Sequence, residues 1–232
     1  MKLIKHLANL GYGSRKEVQK LLRMGVFTDA EGQALDDGAA HGDIRYKGRP
    51  LDPDFGVVLM LNKPCGYVCS LKDRGQLVYE LLPARFAARK PVLSSIGRLD
   101  SDTSGLLLFT DDGDYLHRII SPKNHVAKIY EVTCARPVEQ RYKEIFASGE
   151  LVLESEKDAL KPAFLEITGE RTARLTLYEG RYHQVRRMFA ALGNHVESLH
   201  RAQMGDLTLR DLPSGKWRIL TPAERDGLLK SV

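Results

Sequence analysis

An α+β fold with a mostly antiparallel mixed sheet, preceded by a small α/β module, is the class that this 232-residue chain predicts. Three observations lead there. Strand-like and helix-like stretches alternate without a regular βαβ rhythm and without an internal repeat. At 43% hydrophobic content the chain can bury a sizeable core, in one or two domains. The run LDPDFG, residues 51 to 56, interrupts with Pro53 and Gly56 before the apolar VVLML begins. The expected division is therefore residues 1–52 and 57–232.

Leu3, Leu7 and Leu10 recur at near-helical spacing until Gly11 and Gly13 break the pattern. A second helix follows, opened by the capping box S-x-x-E at Ser14 to Glu17, carried by Val18, Leu21 and Leu22, and stopped by Gly25. Arg15 and Lys16 stand in its first turn, where the helix dipole disfavours cations, so an external anion would explain their placement. Lys20 and Arg23 extend the same basic surface; the alternative is a plain solvated face. Short strand-like pieces then end in GDIRYKGRPL.

The net charge of +5 and pI near 9.0 suit a polyanionic partner, and the charge is uneven. The first 25 residues hold six basic side chains against the single acid Glu17, and from Val26 to Gly56 the sign reverses. No apolar run approaches the roughly 20 residues that span a bilayer, and the start is too quickly polar for a signal peptide. A cytoplasmic location is expected. Cys65, Cys69 and Cys134 fit neither a disulfide framework nor a zinc ribbon, and are expected as reduced thiols packed like small hydrophobes.

In the second part LLLFT, KIYEVTC and ARLTLYE read as strands, and VEQRYKEIFASG and HQVRRMFAALG as helices. The last helix has Val185, Met188, Phe189 and Leu192 as its core stripe, which leaves His183, Arg186 and Arg187 to project elsewhere. Period-two alternation puts Lys128 and Tyr130 on one strand face.

The segment GRLDSDTSGLLLFTDDGD, residues 97 to 114, poses the question of Asp100 and Asp102. D-S-D-T-S-G matches the opening of a calcium-binding EF-hand loop, but position twelve is Asp111 instead of Glu and the flanks are strand-like. A tight turn accounts for Asp102, Thr103 and Gly105, but gives no reason for Arg98 two residues before Asp100. The third reading makes Asp100 a nucleophile or base on the rim of a basic cleft.

The order NKPCGYVCS, GRLDSDTSGL, KIY and EGRYHQVRRM, over residues 58 to 232, resembles the pseudouridine synthases that modify ribosomal RNA. TDDGDYLHRIISPKNH, KPAFLEI and YHQVRRMFAALGNHV followed by LHR resemble the small-subunit (16S) subgroup. The first fifty residues resemble the RNA-binding module of ribosomal protein S-four. By resemblance, Asp100 is the catalytic aspartate, Tyr130 the active-site tyrosine that stacks on uracil, and Arg186 the basic partner of Asp100. The resemblance leaves Asp102 as a turn residue and makes Arg98 an RNA contact, with Lys63, Arg181, His183 and Arg187 completing the grip on the flipped nucleotide's surroundings. Arg15, Lys16, Lys20 and Arg23 would add affinity from the first domain.

The implied reaction isomerises a uridine of 16S rRNA, at the site numbered 516 in standard numbering, and needs no metal or cofactor. The implied partner is 16S rRNA within an assembling small subunit, met by a monomer, with no membrane and no small-molecule cofactor. A large-subunit rRNA target and a non-catalytic RNA-binding factor are the alternatives.

Overall fold

The structure, a computed structural model, describes residues 2–70, 74–121, 124 and 126–230. Pro122, Lys123 and His125 of the SPKNH stretch lie outside the described residues.

The amino-terminal segment is built as its spacing predicts. Helix α1 (Leu3–Asn9) packs on α2 (Arg15–Arg23), and the Ser14–Glu17 capping box forms in both directions. Strands β1 (Phe27–Thr28), β2 (Arg45–Tyr46) and β3 (Arg49–Pro50) make a small antiparallel sheet. Leu3, Leu7, Val18, Phe27 and Ile44 form their own core, separate from the two clusters of the larger sheet.

The main sheet has nine strands among the described residues. It is built from β4 (Val58–Lys63), β7 (Ser94–Ile96), β8 (Thr103–Thr110), β9 (Lys128–Cys134), β10 (Phe164–Ile167), β11 (Thr172–Leu177), β12 (Val196–Met204), β13 (Leu207–Thr208) and β14 (Trp217–Ile219). Strands β5 (Tyr67–Val68) and β6 (Gln76–Leu77) pair separately. The order β10-β11-β9-β12-β8-β4-β14 is antiparallel throughout except for β12 on β8, so the sheet is mixed and mostly antiparallel.

The central strands β4 and β8 are near-continuous apolar runs because both faces are covered. Leu59, Leu61, Leu107 and Phe109 point into a core shared with α5 (Arg141–Ala147) and α6 (Gln184–Ala191). Val58, Met60, Leu106 and Leu108 face the opposite core under α4 (Gly113–Ile120) and α7 (Pro222–Lys230). Residues 103 to 110 are therefore extended strand and cannot wrap an ion, which removes the EF-hand reading.

The short helix α3 (Ala84–Ala87) and the residues after it hold the amino-terminal segment. Arg85 pairs with Asp52, Asn9 accepts a backbone bond from Lys90, and Gly11 passes so close that a Cβ there would lie 1.9 Å from the Arg85 carbonyl oxygen. Beside them Arg89, fully buried, donates to Asp111 and to the carbonyls of Pro53 and Asp54. Cys69 and Cys134 are buried as expected, but Cys65 is exposed, because the turn that carries it faces outward.

Candidate active site

Asp100 sits in the connection from β7 to β8, and the reason this loop has a fixed shape lies in the NKPCGYVCS stretch. Lys63, at the end of β4, is fully buried, and its ammonium donates to the carbonyls of Pro64, Asp100, Ser101 and Thr103 at 2.8 to 3.4 Å. Gly66 donates its N–H to the Ser101 carbonyl at 2.7 Å, and Cys69 accepts from the Leu99 N–H at 3.4 Å. One stretch thus clasps residues 99 to 103 from beneath. Burial pulls the Lys63 ammonium below the ordinary lysine range, opposed by the neighbouring Cys69, Cys65, Asp100 and Asp102.

The Asp100 carboxylate is half-buried and opens on a pocket of about 500 Å³. Arg98, Asp100 and Thr103 line one side, Lys128 and Tyr130 of β9 another, and Arg181 to Val185 with Leu199 and Arg201 close it. Lys128 and Tyr130 share the pocket as their alternation predicts. Arg201 of β12 stands opposite Tyr130 in the antiparallel register, so the two side chains emerge side by side. Lys128 is pulled down to about 8 by burial and by the Arg201 charge, against the opposite pull of Glu179.

His183 approaches closest to the charge on Asp100, with Nε2 at 3.4 Å from Oδ1. It caps α6 in a left-handed conformation at φ 48° and stacks on Tyr182 with ring centroids 3.9 Å apart. Holding a non-glycine residue there is a local strain that the packed site must offset.

Four residues do not do what the sequence led one to expect. Arg186 pairs with Asp102, Nη2 to Oδ2 at 2.9 Å, and its other terminal nitrogen donates to the Val196 carbonyl. It therefore braces the turn one step past Asp100 instead of gripping Asp100 itself, and Asp102 is its anchor as well as a turn residue. Lys63 is the second correction: an ammonium with no solvent access cannot hold a phosphate, and its donors are already spent on the loop.

Arg181 and Arg187 are the others. Glu156 takes both, Glu179 takes Arg181 as well, and the carbonyls of Glu154, Asp158, Ala159 and Tyr182 accept the remaining donors. The two arginines clamp the irregular segment 151 to 160 onto α6, and so serve the pocket wall. Arg98 is exposed on the pocket rim, and among the described residues no ion pair engages it.

Arg15, Lys16, Lys20 and Arg23 are all exposed on α2, likewise outside any ion pair among the described residues. The residue sequence reasoning missed is Arg201. Its signal was present in VESLHRAQM: Leu199 and Arg201 alternate onto the core side of a strand, where a charge is out of place. Side by side, then, lie a carboxylate, a phenol and several cations around a cavity large enough for a nucleoside.

The family described as RNA pseudouridylate synthase matches residues 57–191. The ribosomal small subunit pseudouridine synthase A of Escherichia coli K12 is 49% identical over 184 residues, 78% of each chain. Its namesake in Pasteurella multocida is 43% identical over 231 residues, 97% of each chain. Among solved structures, a crystal structure of a pseudouridylate synthase superposes with a TM-score of 0.70 at 40% identity, covering 98% of this chain and 99% of that one. On the profile match and these identities, the chain belongs to the RNA pseudouridylate synthase family of enzymes.

Proposed function

We propose that the protein isomerises one uridine of 16S ribosomal RNA, the one numbered 516, to pseudouridine, with Asp100 as the reacting carboxylate. The observation that carries the reading is Asp100 on the wall of a nucleoside-sized pocket shared with Tyr130, on a loop fixed by Lys63. The names of the small-subunit relatives support the choice of RNA.

A uridine inside folded RNA is out of reach, so the nucleotide swings out of its stack into the pocket. Asp100 then either attacks the ribose or removes a ribose proton, and the bond from C1′ to N1 breaks. The uracil rotates, C5 bonds to C1′, and the C5 proton is lost while N1 gains one. Tyr130 supplies a flat face for the ring, which is the role its buried phenol suits. Arg186 holds the loop through Asp102, so its contribution is the aim of Asp100. Arg98 and the exposed cations of α2 engage phosphates, with residues 1–52 acting as an RNA-gripping module. The chain works in the cytoplasm as a monomer on an assembling small subunit.

The test is to incubate wild type and Asp100→Asn with unmodified small-subunit particles and map pseudouridine by chemical modification and primer extension. One new stop in 16S rRNA, absent with the variant, is expected. A stop only in large-subunit RNA overturns the substrate, and tight binding with no stop anywhere makes the protein a binding factor.

A further inference from the structure

The pocket holds a charge that no carboxylate among the described residues answers. Arg201 is 2% exposed, and Nε donates to the Leu106 carbonyl at 2.7 Å. Nη2 is buried without a hydrogen-bond partner, and among the described residues no carboxylate pairs with this guanidinium. Lys128 lies close enough to repel it, and among the described residues its Nζ reaches only the Val126 carbonyl, at 3.2 Å. Thr103 Oγ1, on the neighbouring strand and lining the same cavity, is also buried without a partner. Buried cations are ordinarily paired, because an unanswered charge in a desolvated site is costly.

The acids lining the pocket are Asp100 and Glu179. Glu179 is already committed: it accepts from the Lys161 N–H, from Gln184 Nε2 and from Arg181 Nε. Asp100 faces His183. The protein therefore presents two neighbouring cations to the cavity and keeps its free carboxylate for something else.

We propose that Arg201, with Lys128 beside it, is the anion site that receives the uracil ring when its bond to ribose breaks. This rests on the function proposed above and adds a contact residue to it. When the C1′–N1 bond breaks, its electron pair stays with N1, and the charge spreads to O2 and O4. The balance is the same on either route. If the Asp100 oxygen bonds to C1′, the carboxylate loses its charge to an ester; if Asp100 takes a ribose proton, it becomes a neutral acid and the sugar a glycal. In both cases one negative charge leaves Asp100 and appears on uracil. The second bond, from C5 to C1′, removes the charge from the ring again.

Position selects uracil over phosphate. Arg201 is side by side with Tyr130, the ring platform, and is buried at the floor, whereas a phosphate stays with the RNA strand at the rim, near exposed Arg98. A donor fixed where charge develops acts most strongly in such a water-poor site.

The experiment is single-turnover conversion, with enzyme in excess, of a small-subunit RNA carrying uridine or 5-fluorouridine. Fluorine makes the departing ring hold negative charge more readily. Arg201→Met is expected to slow uridine conversion by about 10²–10³-fold, the usual loss of one such donor. RNA affinity should stay within about twofold and the melting temperature should not fall, since an unpaired buried charge has been removed. With 5-fluorouridine, read as disappearance of the parent nucleoside, the deficit should shrink by at least about tenfold, because the ring then depends less on the missing donor. Lys128→Met, which leaves the Arg201 side chain in place, should show the same pattern at smaller amplitude and covers the case in which Arg201→Met fails to fold. An equal deficit on both substrates in either folded variant, or a loss confined to RNA affinity, overturns the uracil site. Full activity of a folded Arg201→Met also overturns it while leaving the parent reading intact. A wild type that converts neither substrate overturns both.

Discussion

Lys63 shows how far a single residue can be misread and why. In sequence it is a lysine beside Pro64 in a chain rich in cations, and a phosphate contact is the natural expectation. Folded, it is a buried hub whose four carbonyl acceptors include those of Asp100 and Thr103. Lys63→Met should therefore lower kcat by at least about tenfold, since small displacements of a reacting group are costly. It should also destabilise the fold by about 1–3 kcal/mol through orphaned carbonyls. RNA affinity and its salt dependence should not move; single-turnover rates, thermal melts and filter binding separate these effects. A shallower salt slope in the variant would return Lys63 to the RNA interface. Asp100, Tyr130 and His183 were legible because motif order identified them, and the structure puts all three on one pocket. The pairing of Arg186 was not, since choosing between Asp100 and Asp102 takes the shape of a turn, and residues two apart on a loop are equivalent in sequence.

At the scale of elements, period and capping chemistry were enough for the strand Lys128–Cys134, for α6 and for the capped start of α2. They were not enough for neighbours. That β12 lies parallel to β8, between it and β9, is a long-range pairing that no local pattern encodes. Gly105 is the point where the pairing leaves its mark: at φ 110° it faces the Arg201 backbone, and a Cβ would fall 2.3 Å from the Arg201 carbonyl oxygen. Neither backbone can yield without breaking the sheet. Gly105→Ala should cost at least about 3 kcal/mol, a strain and clash loss. In a chain of this size that is a melting temperature lower by about 6–12 °C, read by calorimetry. A change under about 2 °C, less than the shift expected for 1 kcal/mol, would mean the two strands are not so closely apposed.

For the whole molecule, net charge pointed toward a polyanion, and its distribution singled out α2 as the surface proposed to grip it. Arg15, Lys16, Lys20 and Arg23 remain exposed and unpaired among the described residues, whereas Arg181 and Arg187 are consumed internally by Glu156. Changing all four α2 cations to glutamine should make the log–log dependence of RNA affinity on salt shallower by about 0.7–0.9 for each phosphate no longer neutralised. Titration of binding against salt measures it, and an unchanged slope would mean that α2 never meets the RNA. Single-turnover conversion at saturating enzyme should be little affected, because no α2 side chain lines the pocket.

The seam made by Arg89, Asp111, Asp52 and Arg85 then acquires a meaning beyond stability. Two binding surfaces joined by a slack tether tolerate many spacings in a target, each at a modest loss; two surfaces locked together tolerate few. With Arg89 buried in the joint and Gly11 pressed against α3, α2 and the pocket behave as the two jaws of a fixed caliper. On the function proposed above, an RNA whose phosphates and uridine match the opening would engage both jaws at once, and one that misses it would engage a single jaw. Selectivity among uridines would then come from the geometry of the folded target more than from the bases beside it.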